Sequence, residues 1–411
     1  MLNTLLPILL FAALGLAVLG AVRRVSMWRR GRPAKVDLIG GLLAMPRRYL
    51  VDLHHVVERD KYMSKTHVAT AGGFVLSALL AILVHGFGLQ SKILGYALLV
   101  ATVIMFSGAI FVFKRRLNPP SRLSKGPWMR LPKSLLVFAA SFFIATLPVA
   151  GILPANTGGW VMVGILGLGV LWGVSELFFG MTWGGPMKHA FAGALHLAWH
   201  RRAERFGGGR SEERRVGKEC RSRWLEDPSA PLGVEKPVDF TWNQLLGFDA
   251  CVQCGKCEAM CPAFAAGQPL NPKKLIQDMV IGLAGGTDAK FAGSPYPGKP
   301  IGEHGGHPHQ PIVNGLVDAE TLWSCTTCRA CVEECPMMIE HVDAIVDMRR
   351  HLTLEKGATP NTEQGGRGAR QPDRHRQPRR FQSGWSDELG GRLEPQVALG
   401  REDHRGAVLG G

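Results

Sequence analysis

The sequence predicts a mainly α-helical chain in three parts: a polytopic bundle of transmembrane helices, a helical cysteine-bearing module and a disordered tail. Three observations carry this. Apolar residues are concentrated in the first 180 residues, in runs long enough to cross a hydrocarbon layer of about 30 Å. Eight of the nine cysteines fall between Cys251 and Cys335 in a repeated spacing. The stretch from Thr362 to Gly411 is rich in Arg, Gly, Gln and Pro and contains no Lys, Ile, Met, Asn, Tyr or Cys, so it lacks the apolar content for a core.

Residues 1–185 hold five candidate spans, at about 2–22, 68–89, 93–113, 135–153 and 160–179. Leu2–Val22 is a single, largely apolar run of 21 residues with no basic region before it and Arg23 and Arg24 directly after, the pattern of a spanning helix rather than a cleaved signal. The loop 23–66 carries 11 Lys/Arg against four acids, and Lys114–Lys133 carries seven Lys/Arg and no acid. The opposite loops, Gln90–Lys92 and Pro154–Gly159, hold one Lys and no charge respectively. Basic loops stay on the cytoplasmic side. The N-terminus is therefore expected outside, and everything after Phe179 inside. The same distribution accounts for the net charge of +15 as membrane topology and speaks against a nucleic-acid partner.

Polar residues in or beside apolar spans are functional candidates, because hydrocarbon makes them costly. His67 and His85 bracket the second span, and His189, His196 and His200 follow the fifth. A b-type haem held by two histidines needs ligands from two helices at one depth. His67 with His189 or His196 meets that requirement near the cytoplasmic face, whereas His85 lies near the outer face with no histidine at its depth. The competing reading is interfacial histidines that snorkel to headgroups or cap helix ends. Glu176, inside the fifth span, reads either as a group serving quinone protonation or as a hydrogen-bonded structural carboxylate. In the segment 186–240, Pro186–Phe206 has apolar residues at helical spacing and is expected as an amphipathic helix on the inner membrane surface, followed by a linker.

The chemistry lies in residues 241–361. Cys251-x-x-Cys254-x-x-Cys257-x-x-x-Cys261-Pro262 is repeated as Cys325-x-x-Cys328-x-x-Cys331-x-x-x-Cys335-Pro336. Three cysteines at two-residue gaps let one tight loop place three thiolates around one face of a [4Fe–4S] cubane, while the fourth reaches the other cluster. Two [4Fe–4S] clusters are expected, with crossed ligands: Cys251, Cys254, Cys257 and Cys335 for one, Cys325, Cys328, Cys331 and Cys261 for the other. Structural zinc needs only two C-x-x-C pairs and gives no reason for the third and fourth cysteines. Asn271-Pro272 marks a helix start, and Glu340–Lys356 is a helical run, so the module is a helical dicluster ferredoxin. The segment Gly285–Val313, with His304, His307 and His309, reads as a solvated loop. Lys256, Lys273, Lys274 and Arg329 lie near the cysteines, either raising cluster potentials and meeting an acidic partner or forming ordinary surface.

These residues resemble a known family. The Leu5–Met45 region, Met45-Pro-Arg-Arg-Tyr49, Asp52-Leu-His-His55 and the module Val252–His351 resemble the iron–sulfur membrane subunit of bacterial dimethylglycine catabolism, which pairs with a flavin demethylase. The module alone is also similar to the small iron–sulfur subunit of heterodisulfide reductase and to the anaerobic glycerol-3-phosphate dehydrogenase anchor. The resemblance covers most of residues 1–361 and implies a protein of the bacterial inner membrane. It would take electrons from a soluble flavoprotein oxidising an N-methylated amine and pass them to a quinone or an electron-transfer flavoprotein. Its functional residues here are the eight cysteines named above. Two readings stand beside it: an iron–sulfur subunit of a heterodisulfide-reductase-like enzyme, and a membrane-tethered redox sensor. Family members continue past Pro360 into a further domain with more cysteines, so 362–411 is expected to be an out-of-frame product. Ser211–Trp224 resembles an adapter-derived peptide, and Cys220 within it is left out of the ligand set.

Overall fold

The computed structural model describes residues 2–120, 122–124, 126–154, 159–200, 232–285 and 306–358. Ser211–Trp224 with Cys220, His304, most of the loop 285–313 and the tail 362–411 lie outside the described residues. Within them the chain is helical, with no strand and only isolated bridges such as Arg32 with Thr241.

Helix α1 (Leu2–Trp28) opens the bundle. It is followed by a short helix α2 (Leu38–Arg47), capped by Asp37 accepting from the Gly40 amide. Helix α3 (Lys61–Gly86) begins at Asp60, whose side chain accepts from the Met63 amide, and contains two widened turns, at Val68–Gly72 and Ile82–Gly86. Helix α4 (Lys92–Leu117) ends on Lys114, Arg115 and Arg116, cations placed where the helix dipole is negative. Helix α5 (Leu131–Thr146) precedes α6, which runs Gly159–Val174, passes a widened turn at Ser175–Phe179 and finishes as Gly180–Trp183. Among the described residues four helical stretches are long and apolar enough to cross a membrane: Thr4–Trp28, Lys61–Gly86, Lys92–Leu117 and Leu166–Trp183. Leu131–Thr146, where the sequence predicts a further span, is a shorter apolar helix.

Phe74, Leu98, Met105, Phe138, Phe142, Val170 and Phe178 form the bundle's core, while Val75, Ile93, Val100 and Leu168 are exposed. That split suits a lipid solvent, in which helices associate through close packing rather than through release of water. Gly73 shows why: a Cβ there would sit 2.7 Å from the Met105 backbone, so only glycine lets α3 and α4 approach this closely.

Helix α7 (Lys188–Trp199) is the segment expected on the membrane surface. It is packed instead between α2 and α8 (Trp242–Asp249), with Ala192 and Leu197 buried in the core of the cysteine module. The Trp199 indole donates to the Leu38 carbonyl at 3.1 Å, and Arg48 donates to the carbonyls of Leu197 and His200 at 2.8 and 2.7 Å. The exposed apolar face in this region belongs to α2, through Leu38, Ile39, Leu42 and Leu43. The helical periodicity of 187–199 is present as expected, but its apolar stripe meets protein. A stripe of this kind does not say whether lipid or protein covers it.

The module's core is Phe240, Leu245, Leu246, Ile276, Leu322 and Met338, all fully buried. Each is worth roughly 1.5–3 kcal/mol of transfer from water. Helix α9 (Pro272–Ala284) starts where expected, with the Asn271 side chain accepting from the Lys273 and Lys274 amides at 2.9 and 3.1 Å and Pro272 at the first helical position. Helix α10 (His341–Arg350) and the widened turn His351–Glu355 close the described fold.

Candidate iron–sulfur site

Each cysteine motif is a loop with two left-handed residues. In the first these are Gln253 (φ 51°) and Gly255 (φ 72°); in the second, Thr327 (φ 56°) and Arg329 (φ 61°). They occupy equivalent positions, so the sequence repeat is also a repeat of backbone conformation. Three of the four are not glycine, and the left-handed region costs such residues roughly 1–2 kcal/mol each. What the strain produces is visible in the amides of the first left-handed residue of each loop: Thr327 N–H donates to Cys325 Sγ at 3.4 Å and the Gln253 amide to Cys251, while beyond the second motif Ile339 N–H donates to Cys335 Sγ at 3.5 Å. Gly255 is required twice over. Besides its φ, a Cβ there would lie 2.4 Å from the Arg122 carbonyl and 2.4 Å from Glu258 Oε1.

Cys251, Cys254, Cys257 and Cys335 line one partly open hollow, together with Lys273, Met337, Ile339 and His341. Cys335, the last cysteine of the second motif, thus sits with the first three, its thiol beside those of Cys254 and Cys251. Reciprocally, Cys261 lies beside Cys325 and Cys331, with Cys328 completing that group. Among the described residues no three His, Cys, Asp or Glu side chains converge on a single-ion position. In the first group the four thiols share the lining of one hollow, as ligands at a cubane's corners would.

Burial pushes the Cys251 thiol up to about 11 and the Cys331 thiol up to about 12. For Cys251 the Gln253 amide, Lys188 and Lys273 pull the other way. Thiolates here therefore need cationic ligands such as iron to be stable. With four thiols per group, amides donating to sulfurs, buried Lys273 behind the first group and half-buried Arg349 beside the second, the residues present fit a [4Fe–4S] cluster at each site.

The two groups differ in setting. In the first group Cys251, Cys257 and Cys335 are buried and Cys254 half-buried; in the second Cys261 and Cys331 are buried, Cys325 is half-buried and Cys328 is exposed. The first group also adjoins the membrane part. Lys256 Nζ donates to the Val56 carbonyl at 3.2 Å, and the fully buried Lys273 ammonium reaches Glu258 Oε1 at 3.0 Å and the Arg122 carbonyl at 3.0 Å. Asn271 Nδ2 donates to the second Glu258 oxygen at 2.9 Å. The four cations noted in the sequence are thus engaged within the chain: Lys274 pairs with Asp278 at 2.6 Å, and Arg329 with Glu340 at 2.7 Å and Asp343 at 3.1 Å.

Sequence reasoning missed Asp249, two residues before Cys251. Its carboxylate is buried and accepts from Arg24 at 3.2 Å, Lys188 at 2.8 Å and the Trp28 indole at 3.1 Å. Burial alone would raise this carboxyl, but Arg24 and Lys188 beside it outweigh that and hold it below its usual range. In the sequence Arg24 is indistinguishable from other basic residues flanking a span, and nothing links it to a residue 225 positions away.

The expected haem ligands are distributed unevenly. His67 has His189 and His54 beside it, with its ring centroid 6.4 Å from that of His54 and 6.2 Å from that of Tyr49. His189 stacks on Trp128 at 5.7 Å and its Nδ1 meets the Pro186 carbonyl at 2.5 Å. His196, about two helical turns further along α7, meets His200 instead, with ring centroids 4.8 Å apart and the planes tilted, and lies under Gly247 of the module. His85 Nε2 meets Thr146 Oγ1 at 3.0 Å. Glu176 pairs with Arg130 at 3.4 Å. His307 and His309 lie 5.6 Å apart in the long loop.

Comparison with known proteins agrees with this division. Residues 3–216 match the family described as Domain of unknown function (DUF3483), and residues 247–339 match the 4Fe-4S dicluster domain. A probable membrane-anchored ferredoxin of Chromohalobacter salexigens is 68% identical over 373 residues, 90% of this chain and 55% of that protein. An EtfAB:quinone oxidoreductase of Syntrophomonas wolfei is 39% identical over 143 residues, 32% of this chain and 20% of that one. An iron-sulfur subunit of the CoB–CoM heterodisulfide reductase of Methanopyrus kandleri is 27% identical over 122 residues, 30% of this chain and 47% of that one. The chain spans about half the length of the first of these relatives and a fifth of the second. No solved structure matches. The chain belongs to the DUF3483 family, with a 4Fe–4S dicluster domain following its membrane part.

Proposed function

We propose that this protein relays single electrons from a soluble flavoprotein to an acceptor at the membrane through two [4Fe–4S] clusters with crossed ligands. The observation that carries it is the unequal setting of the two cysteine groups. Cys328 reaches solvent, where a soluble donor can dock, whereas Cys251, Cys257 and Cys335 are buried, and Lys256 and Lys273 beside them donate to the Val56 and Arg122 carbonyls of the membrane part. When bound, the clusters supply one-electron steps between a two-electron flavin and its acceptor. In this reading Cys325, Cys328, Cys331 and Cys261 hold the cluster on the entry side, and Cys251, Cys254, Cys257 and Cys335 the one on the exit side. The donor in this reading is a dimethylglycine-type demethylase, and the acceptor a quinone or an electron-transfer flavoprotein. The similarity to a protein named for quinone reduction favours the quinone. The module faces the cytoplasm of a bacterial inner membrane, since Arg23, Arg24 and the basic loop 114–133 gather on its side.

The test is anaerobic. Protein reduced with dithionite, freed of excess reductant, is mixed with a soluble short-chain quinone and followed by the cluster absorbance. Prompt reoxidation is expected; clusters that stay reduced would exclude a quinone and leave the flavoprotein acceptor. A b-type haem is a second reading, favoured by the adjacency of His67 and His189. A pyridine haemochrome spectrum of the purified protein decides it.

A further inference from the structure

Two cations converge on one carboxylate at the edge of the first cysteine group. Arg24 lies 3.2 Å and Lys188 2.8 Å from Asp249 Oδ1, and the three side chains are 1%, 6% and 2% exposed. Charges held this far from water are weakly screened, so they act on their surroundings over several ångströms. Lys188 meets Asp249 in the turn that leads into the motif loop, where the Cys251 amide donates to the Phe248 carbonyl at 3.2 Å. Lys273, a second buried cation, lines the hollow of the same group and pairs with Glu258 at 3.0 Å. Asp249 and Cys251 are two residues apart, at the end of α8 and the start of the motif loop. Lys188 starts α7, and Arg24 with Trp28 ends α1. Three elements from both parts of the chain thus meet beside this cysteine group, and Asp249 fixes where the Lys188 ammonium sits.

A [4Fe–4S] group with four thiolates becomes more negative by one charge on reduction. A fixed, poorly screened cation stabilises the reduced form more than the oxidised one. We infer that Lys188, pinned by Asp249, is a positioning residue that raises the reduction potential of the cluster held by Cys251, Cys254, Cys257 and Cys335. The inference rests on the relay proposed above, and in that relay it makes the exit-side cluster the better electron acceptor of the two. The other cluster has its own cation, Arg349, which donates to the Leu322 and Cys325 carbonyls. Arg349 is only half-buried, so solvent screens it more.

The test is EPR-monitored redox titration of the full chain, purified anaerobically with its clusters loaded. Lys188→Gln removes the cation, and the exit-side cluster is expected to shift to lower potential while the other stays in place. Asp249→Asn removes the anion, keeps both cations and is expected to shift the same cluster upward. Lys188→Arg is expected to keep the wild-type value. Opposite shifts from two variants that both loosen the same network separate charge from structural damage, which would move them alike. Unchanged potentials, shifts of the same sign, or failure of Lys188→Gln to load both clusters while Lys188→Arg succeeds would each overturn the inference. Absence of [4Fe–4S] signals from the wild-type protein would instead overturn the relay itself.

Discussion

Replacing Lys273 by Met removes a buried charge from under the first cysteine group at nearly constant volume. The ammonium now bridges Glu258 Oε1 and the Arg122 carbonyl, both at 3.0 Å, and both side chains of the ion pair are 0% exposed. Once it is gone, Glu258 keeps Asn271 at 2.9 Å but loses the ammonium in a dry site. Removing one partner of a buried pair costs about 3–5 kcal/mol. Glu258 lies beside Cys257, so the cost falls on the loop that holds the cluster. The assay is bleaching of the iron–sulfur absorbance at fixed elevated temperature, a measure of kinetic stability. If the whole cost appears in the rate, bleaching accelerates about 10²- to 10⁴-fold. Adding Glu258→Gln to Lys273→Met removes the carboxylate charge and keeps an acceptor for Asn271. The double variant is therefore expected within about 1–2 kcal/mol of wild type. A single variant as slow to bleach as wild type, or a double variant worse than the single, would refute the reasoning.

Other expectations follow from the same geometry. Cys335→Ala and Cys251→Ala are predicted to abolish the same EPR component, and Cys261→Ala the other; if Cys335→Ala removed the signal also lost in Cys331→Ala, the crossed ligation would be wrong. Gly255→Ala forces a Cβ to within 2.4 Å of the Arg122 carbonyl at φ 72°, so reduced cluster loading is expected, measured as iron per chain. Asp60 caps α3 and pairs with Arg115 at 3.1 Å. Burial pushes its carboxyl up, but the Met63 amide and Arg115 outweigh that and hold it below the usual value. Its contribution is therefore present above the unfolded pKa of about 3.9 and is lost as pH falls through the depressed folded value. Asp60→Ala should cost about 1 kcal/mol near neutral pH, with a difference from wild type that shrinks in acid; a difference constant with pH would contradict this.

Much of the architecture was legible because its signals are local. Apolar runs show the helices of the membrane part, Asn271-Pro272 marks the start of α9, and the cysteine spacing demands a loop with inward thiols. The placement of Cys335 beside the first motif is also readable, since a longer gap before proline turns the fourth cysteine away from its own loop. The remainder depends on residues distant in the chain. Arg24 meets Asp249 across 225 positions, and Lys273 meets the Arg122 carbonyl across 151. No periodicity encodes which loop cation will be buried against which carboxylate. Helix α7 illustrates the same limit, because an apolar stripe facing protein and one facing lipid look identical in sequence. The widened turns at Val68–Gly72 and Ser175–Phe179 were likewise invisible, since they add one residue to a helical turn without changing residue types.

Iron and acid-labile sulfide analysis with EPR on the anaerobically purified full chain tests the central claim most directly. About eight irons and eight sulfides per chain, with a spin-coupled signal on reduction, are predicted from two clusters held by eight cysteines. Zinc in place of iron, or about four irons per chain with Cys254 and Cys328 both intact, would contradict it.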